Sequence, residues 1–171
     1  MTKKLNRPRL IIVMGVSGCG KSTIASTLAL TGDYCYIDAD DFHSAEAKGM
    51  MSQNIALTDE IRMPWINVIC ETLCQYQSKN QSVVLAFSGL KAKYRQPFRM
   101  LGFNTRFILL HGSQSLIAKR LAVRENHFAN ENLLTSQFET LELPTTSEND
   151  IATFDVVLPI NELVTAIIKI I

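Results

Sequence analysis

The stretch Gly15-Val16-Ser17-Gly18-Cys19-Gly20-Lys21-Ser22-Thr23 carries the clearest chemistry in the sequence. It fits G-x-x-x-x-G-K-[ST] at every fixed position, with an apolar run, Leu10 to Met14, before it and a segment of helical period after it. A triphosphate cradle requires that context. Glycines let backbone N–H groups turn inward around phosphate oxygens, and the N-terminus of the following helix adds partial positive charge. Gly15, Ser17, Gly18, Cys19, Gly20, Lys21, Ser22 and Thr23 are therefore assigned to ATP, with Lys21 neutralising the β- and γ-phosphates and Ser22 ligating Mg²⁺ through its hydroxyl.

Such a loop serves motors, switches and kinases alike, and the acids separate them. Motor ATPases carry an Asp or Glu at the end of a later apolar strand; here the strand Val83 to Phe87 ends in Ser88-Gly89. The N-K-x-D segment of guanine-specific switches is missing too. The acids instead follow the second strand, as Asp38-Ala39-Asp40-Asp41. Carboxylates at the C-terminal end of a parallel strand beside the loop's own strand point into the crevice where open α/β sheets bind ligands. A kinase needs a base there for the proton of the attacking hydroxyl. Asp38 and Asp40 alternate along an extended segment and so share a face. Asp40 is the expected base, and Asp38 its partner for positioning or for Mg²⁺ through a water.

These residues need a scaffold, and the hydrophobic pattern supplies one. Strands are predicted at Leu10 to Met14, Tyr34 to Ile37, Val83 to Phe87, Arg106 to Leu110 and Asp155 to Leu158. Helices are predicted at Lys21 to Leu30, Pro64 to Tyr76, Lys91 to Leu101, Ser115 to Val123 and Leu163 to Ile171, with Pro64 in a first turn and Asn161 as an N-cap. The alternation predicts a single α/β domain over residues 1–171, a five-stranded parallel sheet covered by helices on both faces. Residues 1–8 read as a solvated tail, and the polar stretches Ser44 to Asn54 and Glu125 to Asn132 read as binding segments or lids.

At 171 residues and 47% hydrophobic, the chain can bury a sufficient core without disulfides or metal. Its 17 basic and 16 acidic residues nearly cancel, so no long-range field draws it to nucleic acid or an anionic membrane. No apolar stretch reaches the roughly 18 to 20 residues that span a bilayer, and a soluble, cytoplasmic protein is expected. Cys19, Cys35, Cys70 and Cys74 lack paired spacing and read as free thiols. Cys19 reads as a small filler of the phosphate loop, with an oxidation-sensitive thiol as the alternative.

Four blocks in order resemble the gluconokinase family, small sugar-acid kinases related in fold to shikimate and nucleoside-monophosphate kinases. They are the loop from Met14 to Ser22; Asp38-Ala39-Asp40-Asp41-Phe42-His43 leading to Leu57-Thr58-Asp59 and Arg62-Met63-Pro64-Trp65; Ser88-Gly89-Leu90-Lys91 with Tyr94-Arg95; and Arg120, Arg124, His127-Phe128 with Ser136-Gln137-Phe138-Glu139-Thr140-Leu141-Glu142 and Pro144. The resemblance implies a P-loop kinase fold with a small mobile lid near residues 124–136, ATP and Mg²⁺ as cofactors, and D-gluconate as acceptor. It implies that Arg62 and Arg95 contact the substrate, with Lys91 and His43 nearby. A sugar acid needs such cations for its carboxylate. Arg120, Arg124 and His127 fall at i, i+4 and i+7, on one face of a continued helix. By resemblance Arg120 lies near the adenine, Arg124 meets the transferring phosphate and His127 faces the substrate. Gln137 is left between anchoring the lid and capping a helix, and the same analogy suggests a homodimer.

The chain departs from the family's second block, which reads D-G-D, then H-P, with an Asn, a Lys and a Gly before P-L and D-D-D-R. Here Ala39, Ser44, Ala47, Met50, Asn54, Ala56 and Ile61 stand at those places. These changes predict a substrate site short of polar groups. They keep open a kinase for another small acid or polyol, and a nucleotide-binding regulator without turnover.

Overall fold

Leu10, Ile12 and Met14 point to one face of the first strand and Ile11 and Val13 to the other, and all five are buried. A strand covered on both faces belongs inside a parallel sheet flanked by helices. The computed structural model describes residues 7–53, 55, 57–123 and 131–171. In it β1 (Arg9–Met14), β2 (Cys35–Asp38), β3 (Val83–Ala86), β4 (Asn104–His111) and β5 (Ile151–Asp155) form one parallel sheet in the order β2-β3-β1-β4-β5. The predicted five-stranded architecture is present. One neighbour differs: β3 lies between β1 and β2, so the acids after β2 are not beside the phosphate-loop strand but one strand away.

Ile11, Val13, Val84 and Ile108 pack against α1 (Lys21–Gly32), α5 (Gln114–Ala122) and α7 (Ile160–Ile168) through Ile24, Leu28, Ile117, Leu163 and Ile167. On the opposite face Ile12, Leu85 and Phe107 meet α3 (Asp59–Ser78) and α4 (Ala92–Arg99) through Ile66, Ile69, Leu73 and Phe98. Two short helices complete the order: α2 (Ala45–Ser52), inside the polar stretch read as a binding segment, and α6 (Glu131–Thr140), which covers the end of the expected lid.

Several element boundaries depart from the sequence pattern. β5 occupies Ile151–Asp155 rather than Asp155 to Leu158, because Asp155 Oδ1 accepts the Val157 N–H at 2.9 Å and turns the chain. α3 begins at Asp59, whose charge and that of Glu60 favour a helix N-terminus. Pro64 therefore lies inside the helix, not in its first turn; it and Glu60 are exposed, where water replaces the bond proline cannot make. α7 begins at Ile160, where Pro159 takes the cap position expected of Asn161 and its carbonyl accepts the Leu163 N–H at 3.0 Å. α4 is shorter than the predicted Lys91 to Leu101, starting after Lys91 and closing at Arg99.

α4 is fastened to the approach to β5 by charge. Arg99 makes a bidentate pair with Asp150, at 2.6 and 2.9 Å, and also donates to Glu148 at 3.0 Å. Arg95, fully buried, stands 3.3 Å from Glu148 and donates to the Glu142 carbonyl at 3.0 Å.

The phosphate loop fits because Gly15, at φ 143°, has no side chain: a Cβ there would lie 2.5 Å from the Leu110 carbonyl oxygen. Gly15→Ala is expected to lower unfolding free energy by about 2–4 kcal/mol through strain and overpacking, measured by urea denaturation.

Candidate active site

The loop's turn after β1 is fixed by a bond from the Gly15 N–H to the Ser88 carbonyl, at 3.1 Å, so the segment after β3 supports it. Lys21 Nζ donates to the Val16 carbonyl at 3.0 Å, which keeps the ammonium at the loop. Cys19 is buried and its thiol pKa is raised by that burial, which fits the filler reading rather than a redox-active thiol.

β2 delivers Asp38 to this loop. Its Oδ2 accepts the Ser22 hydroxyl at 2.8 Å and the Tyr36 hydroxyl at 3.0 Å, while Oδ1 accepts the Asp40 N–H at 3.1 Å. Burial and the neighbouring Asp38 push Tyr36 up to about 12, so it remains a donor. The expected extended alternation stops here. Residues Ala39–Phe42 form a 3-10 turn capped by Asp38, and the two carboxylates diverge: Asp38 to Ser22, Asp40 to open space. His43 Nε2 lies 3.6 Å from Asp40 Oδ1, and the imidazole holds the Asp40 carboxyl below the usual carboxylate range. His43 itself is buried, stacked on Trp65 at 4.1 Å, and Trp65 Nε1 donates to the Ala39 carbonyl at 2.8 Å.

Asp40, His43 and Lys21 line a cavity of about 450 Å³ with Ser17, Arg62, Lys91 and Gln137. Its cations are arranged around Tyr94. The Arg62 guanidinium lies 5.2 Å from the ring centroid and Lys91 Nζ 5.9 Å from it. Tyr94 in turn donates to Asp59, which pairs with Lys93; Lys93 first and Tyr94 second hold the Asp59 carboxyl down to about 2. Arg62 keeps unused capacity. Its Nη2 reaches the Leu57 carbonyl at 3.5 Å, while Nε is buried without a partner among the described residues. Arg62 lines the cavity, and a guanidinium whose hydrogen-bonding capacity the protein leaves partly unused suits an anionic ligand.

A second cavity of about 650 Å³ lies on the other side of the loop, lined by Gly18, Cys19, Gly20 and Thr23 and by the turn Val157 to Ile160. Arg120 borders it and donates to the Val156 carbonyl at 2.6 Å.

The structure thus brings Ser17, Lys21, Asp40, His43, Arg62 and Lys91 to one cavity and Gly18, Cys19, Gly20, Thr23 and Arg120 to the other. Arg95 is not among them, since the Glu148 and Glu142 contacts hold it on the far side of α4. Arg124 and His127 lie outside the described residues. Sequence reasoning gave no role to Tyr94, to Asp59, or to the turn after β5, although Tyr94 sits one helical turn from Lys91. Of the departures from the family's second block, Ala39, Ser44, Ala47, Met50 and Ile61 are not in the cavity's lining, and Asn54 and Ala56 lie outside the described residues.

Residues 10–144 match a family described as an AAA domain. Among curated proteins the chain is 42% identical to a probable gluconokinase of Dictyostelium discoideum, over 81% of this chain and 72% of the relative. It is 41% identical to a gluconokinase of Arabidopsis thaliana, over 78% of each. Among solved structures, a gluconokinase from Sinorhizobium meliloti 1021 superposes with a TM-score of 0.83 at 38% identity, over 94% of this chain and 89% of that one. Shikimate kinase from Aquifex aeolicus, at 17% identity and a TM-score of 0.57 over 94% of each, shares the fold.

The thiols provide a direct check on these positions. Burial raises Cys19 and pushes Cys70 up to about 11, whereas Cys74 is exposed. Alkylation of folded protein at pH 8 should label Cys74 first and leave Cys19 and Cys70 largely unmodified, as read by peptide mass spectrometry.

Proposed function

The chain belongs to the gluconokinase family, and from that premise we propose that it transfers the γ-phosphoryl group of ATP to the C6 hydroxyl of D-gluconate. One observation carries the reading: Arg62, with its buried and unpartnered Nε, shares a cavity with Lys21 and Asp40. A sugar acid held by its carboxylate at Arg62 and Lys91 would direct its far-end hydroxyl toward the phosphate loop, which favours the terminal position. The charged side chains in the lining, Lys21, Asp40, Arg62 and Lys91, support this acceptor over an apolar one.

In this reading Lys21 moves from the Val16 carbonyl to the β- and γ-phosphates, and the apolar turn Val157 to Ile160 with Arg120 receives the adenine. The acceptor oxygen forms a bond to the γ-phosphorus as the bond to the β-phosphate oxygen breaks. Asp40 takes the hydroxyl proton, and ADP leaves. Because the transition state is loose, the base need not be strong, and a carboxylate kept ionised by His43 suffices. Ser22 Oγ and Asp38 Oδ2, already 2.8 Å apart, are hard oxygen donors that fit Mg²⁺, Ser22 directly and Asp38 through a water. Bound there, the ion would neutralise charge on the phosphates.

A coupled ADP-release assay tests the assignment. Asp40→Asn is expected to lower gluconate-dependent kcat by about 10² to 10⁴-fold while nucleotide still binds; full activity in that variant would sink the base assignment. His43 lowers the Asp40 pKa, so removing it lets that pKa rise toward the ordinary value and the base becomes protonated at higher pH. His43→Phe, which keeps the stack on Trp65, should therefore move the acid limb of the kcat/KM profile upward in pH.

A further inference from the structure

Gln137 makes a contact that phosphate binding and proton transfer leave unused. Its Oε1 accepts the Ser17 N–H at 2.6 Å and its Nε2 donates to Ser17 Oγ at 3.1 Å, so one primary amide fixes both backbone and side chain of a single loop residue. Ser17 and Gln137 both line the cavity that holds Asp40 and Arg62. Leu133, Ser136, Gln137 and Thr140 line it at i, i+3, i+4 and i+7, so one face of α6 forms a wall. The far end of that wall is anchored as well. The Glu142 N–H donates to the Leu90 carbonyl at 2.7 Å, and its carboxylate accepts the Ala92 N–H at 2.7 Å, on either side of Lys91. α6 therefore connects the phosphate loop at one point and the segment carrying the acceptor cation at another.

We propose that Gln137 is a positioning residue for phosphoryl transfer, holding Ser17 at the seam between the phosphate loop and the acceptor cavity. The proposal rests on the acceptor reading given above. A displacement of about 1 Å between reacting groups costs on the order of 10²-fold in rate, and this clasp fixes the loop residue that faces the acceptor. It also closes the seam against water, which would otherwise compete with the acceptor for the phosphoryl group.

The test separates the two ideas. Gluconate-dependent turnover of the unaltered protein scores the acceptor reading alone. Gln137→Met keeps the length of the side chain and removes both bonds. Its kcat is expected to fall by at least about tenfold with ADP affinity within about threefold, and it should release ADP in excess over 6-phosphogluconate. Turnover within about twofold of the unaltered protein at one ADP per phosphosugar overturns the proposal. So does an equal fall in kcat and ADP affinity with a lowered Tm, the signature of a merely structural contact. If the unaltered protein does not use gluconate, acceptor-free ADP release by Gln137→Met decides: a rate equal to the unaltered protein's overturns it. If Gln137→Met fails to fold, Gln137→Glu takes its place, since it can still accept the Ser17 N–H but sets a negative charge against the phosphates; an unchanged kcat there overturns the proposal.

Discussion

Asp38 has two carboxylate oxygens and three donors use them. Ser22 binds it from the first turn of α1, Tyr36 from its own strand, and the Asp40 N–H from the turn that follows. The Ser22 bond spans the width of β3, because β2 is at the edge of the sheet and the phosphate loop grows from its centre. Without them the 3-10 turn would lose its cap, and Asp40 would have no fixed direction. The same turn presents the Ala39 carbonyl to Trp65, and Trp65 is the surface on which His43 stacks. One side chain thus links the metal-compatible hydroxyl of the loop to the carboxylate that lines the cavity with Arg62.

Two arginines with similar sequence settings end in different surroundings. Arg62 and Arg95 each lie in the early part of a helix and each keeps a buried N–H without a partner among the described residues, but Arg95 pairs with Glu148 and the Glu142 carbonyl, whereas Arg62 leans on an aromatic face and lines the cavity of Lys21 and Asp40. A buried charge paired with a carboxylate ties elements together, and truncating either side leaves the other uncompensated. A charge with an unfilled donor beside a cavity is suited to a ligand. Tyr94 contributes to the second arrangement through its ring, and its hydroxyl is spent on Asp59.

How much of this was readable beforehand follows from how local each determinant is. The phosphate loop was legible because its chemistry needs consecutive residues, and Asp38 because strand ends in parallel sheets face the crevice; the turn that parts Asp40 from it was not, since Asp38 itself caps that turn. The distinction between Arg62 and Arg95 was not, because it depends on Glu148, some 50 residues further along the chain. Gln137 was ambiguous for the same reason, its partner being 120 positions away. The run Val156-Val157-Leu158 has the composition of a strand, but Asp155 bends it into a turn and leaves Val157 exposed beside the second cavity. Side-chain capping overrode β propensity there.

The stack of His43 on Trp65 has a spectroscopic side. The sequence contains a single tryptophan, so the intrinsic emission of the protein excited in the indole band comes from one ring. That ring lies 4.1 Å from an imidazole and 5.3 Å from Phe87, and it lines the cavity that also holds Asp40 and Arg62. Emission from this one residue is therefore a built-in optical gauge of the polarity of the space in front of it.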